Sequence, residues 1–347
     1  MDHALELGLD TFGDVTEDVS GATKSAGQVI REVVDEAVLA DQLGVTFFGL
    51  GEHHRDDFAV SAPDVVLAAI AAKTTRLRLG SAVTVLSSDD PVRVFQRFST
   101  LDALSGGRAE VILGRGSFTE SFPLFGYDLA QYNELFEEKI GLFAALLDEK
   151  DVTWRGNTRA NLSNQAVYPH TESGHLTTWV GVGGSPESVV RAARYKMPLA
   201  LAIIGGSPRR FRSLVDLYLN SLESSGSGPL PVCVHSPGYV ALSDEEAREE
   251  FFPHMKAQRD RIGAERGWGP MTRSSFDAEV SDRGSFYVGS PETVARKIAA
   301  TASALGAARF DLKYSNGRMP HELLMRSIEL YGREVIPRVH ELMAEVH

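Results

Sequence analysis

The chain has 347 residues, 43% hydrophobic and 24% charged, as is usual for a globular protein with a full hydrophobic core. Its 35 Lys and Arg against 47 Asp and Glu give a net charge of −12. This charge argues against a nucleic-acid or anionic-membrane partner, because both require clustered positive charge. The single cysteine, Cys233, excludes an intrachain disulfide and a thiolate zinc cluster.

The N-terminal residues and the hydropathy of the chain predict its location. Met1 to Asp10 contains neither a basic region nor a long apolar segment, so we expect no secretion signal. No window approaches the ~20 consecutive apolar residues that a membrane span requires. We therefore expect a cytoplasmic protein that does not associate with membranes.

Short apolar runs bounded by glycine, proline or charge alternate along the chain with segments that have the apolar spacing of amphipathic helices. The predicted strands are 5–10, 46–50, 77–86, 109–113, 178–182, 199–204, 232–242 and 309–314. The predicted helices are 28–43, 61–74, 91–104, 132–147, 186–196, a helix that starts near 207, 244–266, 291–305 and 320–347. Serine followed by proline marks several helix starts, as in Ser290-Pro291.

Eight strand-helix alternations predict a parallel α/β fold, and the count favours a closed (β/α)8 TIM barrel that spans residues 1–347 as one domain. An open dinucleotide-binding sheet is disfavoured because no GxGxxG follows the first strand. Two polar segments, 151–178 and 269–287, are longer than ordinary connections and are interpreted as insertions. The first has room for a hairpin.

The apolar run Phe47 to Leu50 ends in a polar sequence that contains His53 and His54. Ligands of parallel α/β proteins bind at the carboxyl ends of strands, so one of these histidines is a candidate catalytic residue. A structural histidine pair is an equally good interpretation. We expect no metal site, because HExxH is absent and no HxH lies on the first strand. Carboxylates at predicted strand ends leave open a cofactor-free glycoside hydrolase: Asp10, Glu52 and Asp311.

Two glycine-containing motifs are candidate anion sites. Residues 183–188 (GGSPES) connect a strand to a helix, and glycines followed by a helix N-terminus suit a phosphate group. The same residues also suit an ordinary helix cap by Ser185, and the similar motif at 289–292 shows how common such caps are. Arg115, in GRGS after the fourth strand, would bind a phosphate or carboxylate, or form a surface ion pair.

In this order and spacing, the motifs resemble the luciferase-like flavin monooxygenases, the bacterial luciferase superfamily. The likeness runs from LGLDTFG near the N-terminus to EVIPRV near the C-terminus. Its most specific parts are EHH after strand two, LGSAVTVL with PVR at strand three, LDALSGGRAEVILGRG through strand four, VGGSPESVVRAAR, and GRMPHELLMRSIELYGREVIP.

The resemblance implies a barrel that binds flavin mononucleotide (FMN) in its top cleft. It implies that His53 lies beside the flavin ring as the catalytic histidine, and that the end of strand three, where the family often has a non-proline cis peptide, lies against the ring. The cofactor-binding residues that it implies are Ala82, Val83, Thr84, Arg115, Gly116, Ser117, Tyr132, Gly183, Gly184, Ser185 and Ser188. Gly114 stands where light-emitting members have a reactive cysteine, so bioluminescence is not expected.

The resemblance further implies that the protein oxygenates a small organic substrate, such as an aldehyde or ketone, with O2 and reduced flavin. A separate flavin reductase would supply the reduced flavin, and a homodimer would form through the helices after strands two and three. The segments 151–178 and 269–287 are expected to cover the cleft and set substrate choice. Two alternatives remain open on the same barrel: a deazaflavin-dependent hydride transferase and a non-catalytic flavin-binding protein.

Overall fold

The computed structural model describes residues 4–18 and 20–345. Eight parallel strands close into a barrel, in the chain order and spatial order β1, β2, β3, β5, β8, β9, β10 and β12, with β12 paired to β1. These strands are β1 (Glu6–Thr11), β2 (Phe47–Leu50), β3 (Arg78–Ser81), β5 (Ala109–Gly114), β8 (Thr177–Val182), β9 (Leu199–Ala202), β10 (Val232–Val240) and β12 (Arg309–Lys313). The short strands that are not part of the closed barrel are β4 (Thr84–Val85), β6 (Val152–Trp154), β7 (Leu162–Gln165) and β11 (Tyr287–Gly289).

Helices surround the barrel, and those that start at Pro91, Asp244 and Pro291 both begin at a side-chain cap and end at a glycine. For example, Asp90 caps the helix that starts at Pro91, and Gly106 ends it with positive φ. Within the described residues, no helix combines the length and hydropathy needed to cross a membrane. The helices are α1 (Ala26–Gln42), α2 (Pro63–Ala71), α3 (Pro91–Ser105), α4 (Ser121–Leu124), α5 (Tyr132–Leu146), α6 (Pro186–Arg194), α7 (Arg212–Ser224), α8 (Asp244–Arg266), α9 (Arg273–Val280), α10 (Pro291–Leu305), α11 (His321–Leu330) and α12 (Ile336–Ala344).

Each predicted strand overlaps an observed barrel strand, and two elements differ in detail. The predicted strand 77–86 is interrupted: β3 ends at Ser81, the Ala82–Val83 peptide is cis, and β4 follows it. The predicted helix 320–347 is divided by a π-helical segment, Tyr331–Val335, into α11 and α12. Residues 346 and 347 of that prediction lie outside the described part of the chain.

The segment 151–178 contains the antiparallel hairpin of β6 and β7 and packs on the outer helices. Arg159 Nε lies 2.9 Å from Asp90 Oδ2 at the start of α3, and Glu138 on α5 accepts hydrogen bonds from the backbone N–H of Asn157 and Thr158. These contacts hold the hairpin against the outside of the barrel.

The segment 269–287 forms α9 and leads into β11, which pairs with the end of β10. It therefore extends the sheet beside the carboxyl end of the barrel.

The interior of the barrel contains a buried ion cluster beside a small apolar cluster. Arg309 is fully buried, with Nη1 2.7 Å from Glu110 Oε2 and Nε 3.1 Å from Asp311 Oδ2. Its guanidinium lies over the rings of Phe47 and Trp179. A buried charge is tolerated only when it is paired, and this cluster supplies the pairs. The space above it, toward the carboxyl ends of the strands, is the cavity described next.

Candidate active site

A cavity of about 430 Å³ opens at the carboxyl ends of the barrel strands. Its deepest lining residues, which we call the cavity floor, lie within the strands, and its cover comes mainly from α8 and the residue Trp268. The floor consists of Asp10, Ile112, Ala200, Cys233, His235 and Asp311, and the cover of Met255, Gln258, Arg259, Ile262, Arg266 and Trp268.

Neither predicted insertion supplies most of this cover. The lining includes Phe286 of the segment 269–287 and no residue of 151–178. The reason is the packing of the hairpin on α3 and α5, which holds it outside the barrel. The helix α8 covers the cavity instead, whereas the sequence predicts only that 244–266 is a helix.

His53 lines the cavity and is enclosed by aromatic rings. Its ring centroid is 4.4 Å from that of Phe58, 4.6 Å from Phe12 and 5.0 Å from Phe118. Burial, assisted by the positive charge of Lys313, lowers the pKa of His53 to about 3. The imidazole is therefore neutral at physiological pH and offers one N–H donor and one nitrogen acceptor.

Hydrogen bonds of Glu52 fix the loop that carries His53. Glu52 Oε1 lies 3.0 Å from His54 Nε2, and its Oε2 accepts a hydrogen bond from the backbone N–H of Val85 at 3.0 Å. Arg55 joins the same loop to α8 through Glu265 and to the loop after β5 through Glu120. The histidine is thus held on a braced loop at the edge of the cavity.

The end of β3 forms one wall. Ala82 and Val83, which flank the cis peptide, both line the cavity. Thr84 does not, because its hydroxyl donates to Ser81 Oγ within the buried sheet. This wall is apolar, so it suits the face of a planar ring.

Arg115, Gly116, Ser117 and Tyr132 line the cavity together after β5. The Tyr132 hydroxyl donates to the backbone carbonyl of Gly116 at 2.7 Å, and the Arg115 guanidinium lies 5.2 Å from the Tyr132 ring centroid. Burial raises the pKa of Tyr132, so its hydroxyl stays protonated. Among the described residues, Arg115 donates to Asn133 Oδ1 and forms no ion pair, so its charge is available to an anion.

The turn before α6 brings Gly183 and Ser188 into the lining, whereas Gly184 and Ser185 are not part of it. Ser185 caps α6: its hydroxyl oxygen accepts from the backbone N–H of Ser188 and its O–H donates to Glu187 Oε2 at 2.7 Å. Within 4 Å of an added Cβ at Gly183 or Gly184 there is only open space. The start of α6 beside this open space suits an anion, as an exposed helix N-terminus does.

Sequence reasoning missed the pairing of residues on the floor. His235 Nδ1 lies 2.7 Å from Asp10 Oδ2, and the Cys233 thiol donates to Asp311 Oδ2 at 3.1 Å. The sequence offers one signal for this site: His235 directly follows the apolar run 232–234 of a predicted strand.

These contacts also bear on the glycoside hydrolase alternative. Asp10 and Asp311 are buried and paired, and Glu52 holds His54. The three carboxylates therefore do not form two free groups on opposite sides of a substrate. Within residues 4–18 and 20–345 there is also no cluster of three or more residues suited to hold a metal ion.

The fold and cavity define a (β/α)8-barrel protein with an anion-attracting turn and a neutral histidine in one cavity. The family model described as luciferase-like monooxygenase matches residues 11–309. The chain therefore belongs to the luciferase-like monooxygenase family and is a flavin-dependent monooxygenase or oxidoreductase.

Two relatives show how much of the chain the sequence similarity covers: one match spans most of the chain and the other about half of it. The chain is 27% identical to 4-hydroxyprotoasukamycin monooxygenase of Streptomyces nodosus subsp. asukaensis over 345 residues, covering 94% of this chain and 92% of that one. It is 34% identical to an uncharacterised protein of Sinorhizobium fredii over 169 residues, and this match spans about half of each chain: 47% of this one and 48% of the other.

Solved structures show the same fold. Monooxygenase RslO1 from Streptomyces bottropensis has a TM-score of 0.82 at 25% identity, over 96% of this chain and 99% of that one. The oxygenating constituent of 3,6-diketocamphane monooxygenase from Pseudomonas putida, in complex with FMN, has a TM-score of 0.76 at 18% identity over 97% and 99%. An F420-dependent secondary alcohol dehydrogenase also scores 0.76, at 15% identity over 97% and 99%. At 18% and 15% identity, the last two structures show the shared fold alone.

Proposed function

We propose that this protein is an FMN-dependent monooxygenase that uses reduced flavin and O2 to oxygenate a small organic substrate such as an aldehyde or ketone. A separate reductase supplies the reduced flavin, since no nicotinamide-binding fingerprint follows the first strand. The observation that supports the proposal is one continuous cavity, with Arg115 and Gly183 at its anion-attracting part and His53 elsewhere in its lining.

The residues present fit a flavin mononucleotide. The unpaired charge of Arg115 and the open space at Gly183 and Gly184 suit a terminal phosphate. The apolar wall of Ala82 and Val83 suits the ring. When bound in its reduced form, the cofactor supplies the electrons that activate O2.

The protein then orients the reactants, excludes water and handles protons. His53, neutral among Phe12, Phe58 and Phe118, hydrogen-bonds the reacting group and orients it. The aromatic rings and the α8 cover keep water from the reacting atoms. Substrate choice then depends on the residues of the cover, including Trp268.

Substitution of Arg115 by methionine tests the phosphate site. Arg115→Met removes a charge-assisted contact, which is worth about 1.5–3 kcal/mol. We expect the Kd for FMN to rise by about 10- to 150-fold. Affinity for riboflavin, which has no phosphate, should not change. Fluorescence titration of the apoprotein measures both constants, with Arg155→Met on the outer hairpin as the matched control.

Equal losses for FMN and riboflavin would place Arg115 elsewhere than at the phosphate and would contradict the proposal. The same titration with the deazaflavin F420 distinguishes the cofactors, and tight binding of the deazaflavin alone would replace this proposal with hydride transfer. Reoxidation of bound reduced flavin without any substrate-dependent product, across a panel of aldehydes and ketones, would favour a non-catalytic flavin-binding protein.

A further inference from the structure

The cavity contains a second histidine, His235, which is held by a buried aspartate. His235 Nδ1 lies 2.7 Å from Asp10 Oδ2, across the space between β10 and β1. The Asp10 side chain is 0% exposed, whereas that of His235 is 14% exposed and lines the cavity. Since Nδ1 is bonded to Asp10, Nε2 is the ring nitrogen that can bond a molecule in the cavity.

Charged groups on the adjacent strand β12 and on β1, the strand beyond it, act on His235. Burial alone would lower its pKa, but Asp10 on β1 and Asp311 on β12 outweigh burial and raise it, against an opposing contribution from Lys313. Lys313 is itself bonded to Asp14 Oδ2 at 2.9 Å, which draws its charge toward that carboxylate. The imidazole of His235 is therefore held in its charged form more strongly than an ordinary histidine.

The two cavity histidines both lie near Phe12 and differ in charge. The Phe12 ring centroid is 4.6 Å from that of His53 and 6.2 Å from that of His235, nearly parallel to the latter at 14°. The His53 ring lies among the rings of Phe12, Phe58 and Phe118, whereas the His235 ring is bonded to a carboxylate. An acid and a base in one active site are usually two titratable groups whose environments move their pKa values apart.

We propose that His235, positioned by Asp10, is the proton donor of this cavity and transfers a proton from Nε2 to an oxygen atom derived from O2. This inference rests on the proposed function. A reduced flavin bound as its monoanion brings two electrons and one hydrogen, and one further proton is needed to form water with a substrate or hydrogen peroxide without one. The Nε2–H bond breaks and its electron pair stays on Nε2. The proton forms the new O–H bond. The ring remains bonded to Asp10 through Nδ1–H, and solvent reprotonates Nε2 before the next turnover.

Histidine titration by NMR on the 15N-labelled protein tests the charge state without any substitution. We expect one imidazole that stays protonated above pH 7 and whose signal is absent from His235→Gln. In Asp10→Asn the same imidazole should lose its proton at a pH roughly one to two units lower. A His235 that is already neutral at pH 6 in the wild-type protein would overturn the proposal.

Single-turnover oxidation of enzyme-bound reduced FMN by O2, without substrate, tests the proton transfer. In the wild-type protein we expect the rate to fall as pH rises through the pKa of His235. In His235→Gln the rate should be about 10²–10⁴-fold lower and independent of pH in that range. Added imidazole should restore part of the rate in His235→Ala. The matched control is His170→Gln, an exposed histidine of the outer segment.

FMN titration of each variant separates failure of this inference from failure of the proposed function. If the wild-type protein does not bind FMN, the proposed function fails. If wild type, His235→Gln and Asp10→Asn bind FMN equally but share one pH profile of oxidation, the proton-donor role alone is overturned. Equal binding, with the pH dependence lost in His235→Gln and moved to lower pH in Asp10→Asn, supports it.

Discussion

At the scale of single residues, the cavity determines what its ionisable groups can do. His53 follows a strand in a polar sequence that would leave an ordinary histidine solvated, yet three aromatic rings surround it. Its pKa is lowered to about 3, chiefly by burial. The pKa of this histidine in the unfolded chain is the ordinary value near 6.5. Between about pH 3 and 6.5 the unfolded chain therefore binds a proton at this position that the folded protein does not bind.

This difference predicts how stability depends on pH. Above about pH 6.5 neither state protonates His53 and its contribution is fully present; as the pH falls from 6.5 toward 3, stability is lost. Between pH 7 and 5, His53→Gln should lose about 2 kcal/mol less unfolding free energy than the wild type. Urea denaturation at both pH values measures the difference, with His170→Gln as the control. An equal loss in wild type and His53→Gln would mean that the imidazole is solvated.

At the scale of elements, a single lysine holds the segment that follows the α8 cover. Lys297 on α10 donates from Nζ to the backbone carbonyls of Val280 at 3.0 Å, Ser281 at 2.6 Å and Phe286 at 2.7 Å. These carbonyls lie at the C-terminal end of α9 and before β11, where a helix has no partners of its own for them. Since Phe286 lines the cavity, the lysine also shapes the active site.

Lys297→Met should loosen this segment specifically. The change removes charge-assisted bonds and leaves buried carbonyls unpaired, at a cost of about 2–4 kcal/mol. We expect Tm to fall by roughly 3–6 °C and hydrogen exchange to rise in 273–286. Arg296→Met, at the exposed neighbouring position of the same helix, should change neither. An increase in exchange spread over the whole barrel would contradict a local role for Lys297.

At the scale of the whole molecule, α2 and α3 present an apolar groove to the outside of the barrel. Val65 is 65% exposed and Leu104 60% exposed, and both line this groove beside Ala68 and Thr100. These are the helices that follow strands two and three of the barrel, through which we predict a homodimer. Large exposed apolar residues that line one groove are typical of an interface.

Leu104→Glu should weaken the dimer. A charge in the centre of an apolar interface costs about 2 kcal/mol or more, so the dimer Kd should rise at least ~30-fold. Light scattering coupled to gel filtration over a dilution series measures the shift. Leu242→Glu, at an exposed leucine outside the groove, should leave the dimer intact. A wild-type protein that is monomeric at all concentrations would refute the prediction.

The sequence by itself determined the order of strands and helices, the barrel, and the residues that follow each strand, because apolar periodicity and caps are local signals. Thus Ser185-Pro186 starts α6, and Gly114-Arg115-Gly116 leads from β5 into the cavity. Only the tertiary structure decided which groups meet across the barrel. Asp10 and His235 are 225 residues apart in the chain, and their contact depends on strand register. The cover by α8 and the outward position of 151–178 likewise depend on packing between distant elements, which no local pattern encodes.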